Sequence, residues 1–183
     1  MAKPFIITIV GAESSGKTTL AERLADRFGC LWVPEYARTY LTELNRPYQL
    51  EDLSIIAKGQ WELIRSALSR ADHIYPDAIN LQSGIDEETS WLIFQRESFG
   101  TVPRPAIIVD SGILSIRMWA LLKFGIEIPF VEEALRQDQT STYVLCRPFP
   151  EWEPDPLREA PGLLDRSWIY NQYLKELAIT PSM

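Results

Sequence analysis

Gly11-Ala12-Glu13-Ser14-Ser15-Gly16-Lys17-Thr18 fits the pattern G-x-x-x-x-G-K-[ST], which cradles phosphate when it joins a strand to a helix. Both neighbours fit. Phe5-Ile6-Ile7-Thr8-Ile9-Val10 is a short apolar, β-branched run that reads as a buried strand. From Lys17 to Phe28, Leu20, Ala21, Leu24, Ala25 and Phe28 recur on one helical face. A chance match in an ordinary loop would lack this context. In strand–loop–helix geometry the backbone N–H groups of residues 12 to 17 turn inward on a phosphate, where unpaired donors and the helix dipole favour negative charge. Lys17 would reach the β- and γ-phosphates and the Thr18 hydroxyl would ligate Mg²⁺. The candidate nucleotide-binding set is Gly11, Ala12, Glu13, Ser14, Ser15, Gly16, Lys17, Thr18 and Thr19, with ATP and Mg²⁺ as the expected cofactors.

The 183 residues, 46% of them apolar and 23% charged, are enough for one domain with a full core. The net charge of −7 and the lack of any Lys/Arg block argue against nucleic acid or a membrane as partner. A nucleotide site needs no basic protein, because backbone donors, Mg²⁺ and a few arginines suffice. Cys30 and Cys146 lie in apolar runs without metal-ligand spacing, as expected of reduced thiols in the cytoplasm. The six-residue apolar run at the N-terminus is too short for a signal peptide or a membrane span.

Further along, Cys30-Leu31-Trp32-Val33 reads as a second strand leading to Pro34-Glu35-Tyr36-Ala37-Arg38. Residues just past the carboxyl end of a strand face the ligand crevice of an open α/β sheet. Glu35 and Arg38 thus stand where a kinase places an acceptor base and a substrate anchor; a surface ion pair at a helix start is the other reading. Glu51 to Ser69 reads as a long amphipathic helix in which Gly59 marks a packing gap. Residues 72 to 86 read as a loop that crosses an edge or covers a site, with a solvated His73. A short helix starts at Asp86-Glu87-Glu88, and residues 101 to 105 are a connector.

Ala106-Ile107-Ile108-Val109-Asp110 has the Walker B form, a buried strand delivering a carboxylate to the metal beside the glycine loop. Ile113 to Phe124 reads as a helix closed by Gly125, and Pro129 opens another that runs to about Gln137. Ser141 to Cys146 is the fourth strand. The proline-rich stretch from Arg147 to Glu159, with Trp152 and nearby Arg147, Arg158 and Arg166, reads as a lid or as a rigid surface loop. A last amphipathic helix runs from about Arg166 to Ala178.

With these pieces in place, the sequence resembles the nicotinamide riboside kinase (ribosylnicotinamide kinase) domain of NadR-type bifunctional NAD-salvage proteins, whose stand-alone versions are labelled AAA-type ATPases. The matching residues are Gly11 to Thr18, Glu35-Tyr36-Ala37-Arg38, Gly59-Gln60, Asp110 with Ser115, and Pro150-Glu151-Trp152-Glu153-Pro154-Asp155-Pro156-Leu157-Arg158. The resemblance implies an α/β P-loop kinase fold, a parallel sheet in order 2-3-1-4-5 with helices on both faces; this chain carries strands for 2-3-1-4, the fifth missing. Residues 1–183 are then one P-loop kinase-like domain, with an unusual insertion near 72–105 and a lid near 147–166. It also implies ATP- and Mg²⁺-dependent phosphorylation of a nicotinamide ribonucleoside hydroxyl. Lys17, Glu35, Asp110, Arg158 and Arg166 would be catalytic, Thr18 and Asp110 would hold the metal, and Glu35, Tyr36, Arg38 and Trp152 would bind the nucleoside. The chain departs from the family pattern at Gly112 and Phe149, where the family has carboxylates. Two other classes fit the same residues: a regulatory ATPase with a protein partner, and a degenerate nucleotide-binding module.

Overall fold

The β-branched runs form the expected strands in the computed structural model, which describes residues 4–71, 78–80, 101–103, 105–149, 155, 157 and 159–179. Among the described residues six strands occur in chain order: β1 (Ile6–Gly11), β2 (Leu31–Val33), β3 (Ala78–Asn80), β4 (Thr101–Pro103), β5 (Ile107–Asp110) and β6 (Thr142–Cys146). The helices are α1 (Lys17–Phe28), α2 (Tyr36–Glu43), α3 (Leu50–Arg70), α4 (Ile113–Trp119), α5 (Pro129–Gln137) and α6 (Leu163–Ile179). The central sheet has the order β2-β5-β1-β6, all parallel, which is 2-3-1-4 when its own strands are counted along the chain. β1 lies in the middle and is buried along its whole length, as both faces of a parallel sheet require.

Alternate side chains serve opposite faces. Ile7, Ile9, Ile108 and Val144 pack with Leu20, Leu24 and Phe28 of α1. Ile6, Ile107 and Val109 turn the other way, to Leu53, Ile56 and Ile64 of α3, Ile113 and Ile116 of α4 and Val131 of α5. Val10 and Leu145, toward the carboxyl edge, meet Leu114, Met118, Tyr170 and Tyr173. The sheet is thus covered on both faces, and the crevice at its carboxyl edge is left for a ligand.

Several local expectations change. Residues 78–80 and 101–103, read as loop and connector, pair as an antiparallel two-stranded ladder with Ala78 opposite Pro103. Proline lacks the N–H a central strand needs, so the segment escapes strand patterning. His73 and the helix expected from Asp86 lie outside the described residues. The single helix expected over 113–124 is α4 followed by a π-helical turn, Ala120–Phe124, closed at Gly125. The last helix starts three residues early, at Leu163.

Two glycines have packing reasons. A Cβ on Gly59 would lie 2.2 Å from Cε1 of Tyr36, whose ring fills the gap. A Cβ on Gly112 would lie 2.9 Å from Cγ2 of Thr8, so a side chain there would need that methyl to move.

Candidate functional site

β1 ends where the glycine loop begins. Gly11 passes close to β6: a Cβ there would lie 2.8 Å from the Cys146 carbonyl oxygen. Gly16 is the N-cap of α1 with φ 72°, a backbone shape that disfavours a side chain. Lys17 and Thr18 thereby occupy the first helical turn. The Lys17 Nζ donates to the Ala12 carbonyl at 2.7 Å, and the Ser15 hydroxyl donates to the same oxygen at 2.8 Å. Ser14 and Ser111 hold positive φ of 52° and 53°. Such non-glycine conformations cluster at functional sites.

Asp110 pairs in register with Ile9, which sets its carboxylate beside the loop. It is only 1% exposed. It accepts a hydrogen bond from Thr18 Oγ1 at 2.7 Å and one from Ser111 Oγ at 3.3 Å. Among the described residues no group of three or more His, Cys, Asp or Glu side chains could hold a metal. A hydroxyl and one carboxylate in contact suit Mg²⁺, which binds through one or two protein oxygens and completes its shell with phosphate and water.

Glu35 is the residue before α2, and its side chain makes no cap hydrogen bond. Burial raises its carboxyl above the ordinary value of 4.5; Lys17 opposes this, Asp110 adds to it, Arg38 opposes and Glu13 adds. The backbone on either side is held by the buried Gln60. Its Oε1 accepts the Tyr36 N–H at 2.8 Å, and its Nε2 donates to the Pro34 carbonyl at 3.2 Å. Arg38 borders the cleft and donates to Asp155 at 2.9 Å, so α2 is tied to the lid segment. Tyr36 does not line the cleft. Its ring lies on Gly59 and stacks near Tyr40 at 6.4 Å between centroids, because α3 offers a gap there.

The residues expected in a lid divide two ways. Trp152 and Arg158 lie outside the described residues. Arg166 is fully buried on α6 and donates to the Phe149 carbonyl at 2.7 Å. Because α6 starts at Leu163, residue 166 sits inside the helix facing the core, and its bond to the Phe149 carbonyl ties α6 to the segment after β6. At its return, the Glu13 carboxylate of the glycine loop accepts both the Glu159 and Ala160 N–H groups at 2.8 Å. The Glu159 carboxylate in turn binds Lys123 at 2.6 Å and the Tyr48 hydroxyl at 2.7 Å. Tyr48 also accepts from Lys123 and, at 3.0 Å, from the Trp119 indole.

These groups surround one cleft of about 1070 Å³. The glycine loop, Thr19, Glu35, Arg38 and Ser111 line it, and Trp119, Leu122, Phe149 and Trp168 give it apolar walls. Trp119 fell in the helix expected over 113–124 and Tyr173 on the expected last amphipathic helix, and neither these two nor Trp168 was singled out for the site. Only the tertiary fold brings them to the cleft. Burial pushes the Tyr173 hydroxyl up to about 12 and the Cys146 thiol likewise to about 12, so neither ionises near neutrality.

The sequence profile of a family described as AAA domain matches residues 6–180. No curated protein matches in sequence. Among solved structures, the NadR protein in complex with NR superposes with a TM-score of 0.64 at 19% identity, over 96% of this chain and 42% of that one. The NadR protein in complex with NAD and AMP-PNP gives 0.60 at 18% identity, over 96% and 41%. The chain thus spans about two fifths of those proteins, and the likeness is one of fold.

Proposed function

This chain belongs to the AAA domain family, and from that premise and the geometry of the cleft we propose that it is an ATP-dependent kinase for the hydroxyl of a small ribonucleoside, nicotinamide riboside or a close analogue, acting in NAD salvage in the cytoplasm. The observation that carries the reading is the meeting, in one cleft, of a complete phosphate loop and a carboxylate that burial makes more basic. A phosphate loop alone fits any ATPase. A second, separately positioned base facing the same space fits transfer to an acceptor hydroxyl.

The triphosphate lies on the N–H groups of the loop. Lys17 exchanges the Ala12 carbonyl for the β- and γ-phosphate oxygens. Thr18 and Asp110 are the residues that would hold Mg²⁺, which when bound neutralises phosphate charge. Glu35 takes the proton of the acceptor hydroxyl as its oxygen bonds to the γ-phosphorus and the bond to ADP breaks. Arg38 and Trp152 belong to the nucleoside end, and Arg158 to the transferring phosphoryl group. Catalysis in this chemistry comes mostly from positioning and charge stabilisation. The NadR complexes with NR and with AMP-PNP support the choice of substrates by analogy of fold.

The test is ADP release with a panel of nucleosides, nicotinamide riboside included, against ATP·Mg²⁺. Acceptor-dependent turnover is expected; no release above the acceptor-free rate with any nucleoside would sink the proposal. Gly112, where the resembled family has a carboxylate, favours one second reading, a partner-stimulated ATPase. Hydrolysis without acceptor that rises on adding a protein partner would mark it.

A further inference from the structure

We propose that Gln60 is a positioning residue for Glu35, its buried amide gripping the backbone on both sides of that residue and so fixing where the carboxylate enters the cleft. The catalytic consequence rests on the kinase reading above; the clamp itself does not.

Gln60 sits in the middle of α3, on the stripe of Leu53, Ile56, Ala57 and Ile64 that packs on the sheet. An apolar residue would suit that stripe, yet here an amide is buried to 1% exposure. A buried amide is costly unless its donor and its acceptor are both used. Both are, and both on the same short segment: Oε1 takes the Tyr36 N–H at 2.8 Å, and Nε2 gives to the Pro34 carbonyl at 3.2 Å.

These two backbone groups stand where regular structure leaves them over. Tyr36 is the first residue of α2, so its N–H has no acceptor inside the helix. Pro34 lies just beyond the last pair of β2, Val33 with Val109, on the edge of the sheet. Between them Glu35 spends no side-chain atom on capping the helix and presents its carboxylate to the cleft. Gly59, the preceding residue of α3, makes the seat for the Tyr36 ring. Two consecutive residues of α3 therefore locate the peptide around Glu35, one by leaving space and one by hydrogen bonding. Misplacing a reacting group by about 1 Å can cost ~10²-fold in rate, so a device of this kind acts on turnover more than on nucleotide binding.

The experiment pairs Gln60→Met, which keeps length and apolar volume but removes the amide, with Glu35→Gln in a double-mutant cycle, and follows exchange of the Tyr36 amide hydrogen. Expected results are Tyr36 exchange at least about tenfold faster, and kcat down at least about tenfold with KM for ATP within about twofold. In the Glu35→Gln background, Gln60→Met should cost less than about twofold. A merely structural glutamine would cost the same in both backgrounds, and that result overturns the proposal, as does unchanged Tyr36 exchange. If the parent protein phosphorylates no nucleoside, the kinase reading fails, and Tyr36 exchange still decides the clamp. Should Gln60→Met not fold, Gln60→Asn, a methylene too short to span both partners, must give the same acceleration at Tyr36.

Discussion

At Glu35 a carboxyl lines the cleft and is not used to cap α2. Burial raises its carboxyl above 4.5, so the native state holds the proton where the unfolded chain has released it. Below about 4.5 the group costs nothing; as pH rises through the raised value a charge is left buried and stability falls. Glu35→Gln should therefore raise Tm at neutral pH and leave it unchanged in acid, a comparison thermal melts at the two pH values make. The same substitution should lower kcat by about 10²-fold, the usual contribution of a general base, with little change in KM for ATP. In the parent, the acidic limb of the kcat profile should lie above the ordinary glutamate range, because the base works only once deprotonated. Lys17→Ala, by contrast, should weaken ATP binding at least about tenfold by calorimetry, through loss of a charge-assisted contact to phosphate. The placement of Lys17, Thr18 and Asp110 together was legible in the sequence because it depends on local spacing and on the end of one strand. The packing of Arg166 and Tyr36 was not legible, because it depends on where a helix starts and which partner faces it. Tyr36 and Gly59 meet only once α2 lies on α3.

Among the elements, α3 does most to shape the cleft without reaching the phosphates. Its start is pinned by Asp52, which accepts from Arg46, from the Gln49 N–H and from the Tyr40 hydroxyl. The Arg46 guanidinium, then the Gln49 N–H and the Tyr40 hydroxyl, hold its carboxyl well below the usual carboxylate range. That stabilisation is present above the ordinary value of 3.8 and is lost as pH falls through the depressed one. Asp52→Asn should lower Tm at neutral pH, and the gap to the parent should close at strongly acid pH. At mid-helix, Gly59→Ala gains about 1 kcal/mol of helix propensity, but its Cβ, 2.2 Å from the Tyr36 ring, forces that ring out at a typical cost of about 1–3 kcal/mol. Urea unfolding should therefore show a net loss or no gain, where propensity alone promises a gain. The helical period of α3 was plain in sequence, and so was the gap at Gly59. The β3–β4 ladder and the π-helical turn were not. One is three residues a strand with a proline in it, and the other keeps the composition of an ordinary helix while shifting its phase, so that Trp119, Leu122 and Lys123 all face the cleft.

For the molecule as a whole, the connection between the two ends of the cleft is the property least visible in any single element. Glu13 belongs to the phosphate loop, yet its carboxylate is spent on the Glu159 and Ala160 N–H groups. Glu159 passes the connection through Lys123 and Tyr48 to the Trp119 indole, on the far wall. Each link is a hydrogen bond, and three of its participants (Glu13, Glu159, Lys123) are charged groups whose bonds weaken steeply with misalignment. If a triphosphate orders the loop, these bonds would carry that order to residues 159–160 and to the wall beyond them, and a ligand at the wall would in turn order the loop. Such coupling is reciprocal and commonly amounts to about 5- to 150-fold in affinity. With a non-hydrolysable ATP analogue bound, an accepted nucleoside should bind several-fold tighter than to the free protein. Glu13→Ala, which removes the acceptor for the Glu159 and Ala160 N–H groups at the phosphate-loop end of this connection, should abolish that enhancement and leave nucleoside affinity for the free protein nearly unchanged. Calorimetric titrations of nucleoside with and without the analogue, in parent and variant, measure the four affinities. An enhancement that survives Glu13→Ala at full size would mean that the two ends communicate through the sheet and not through this chain of side chains.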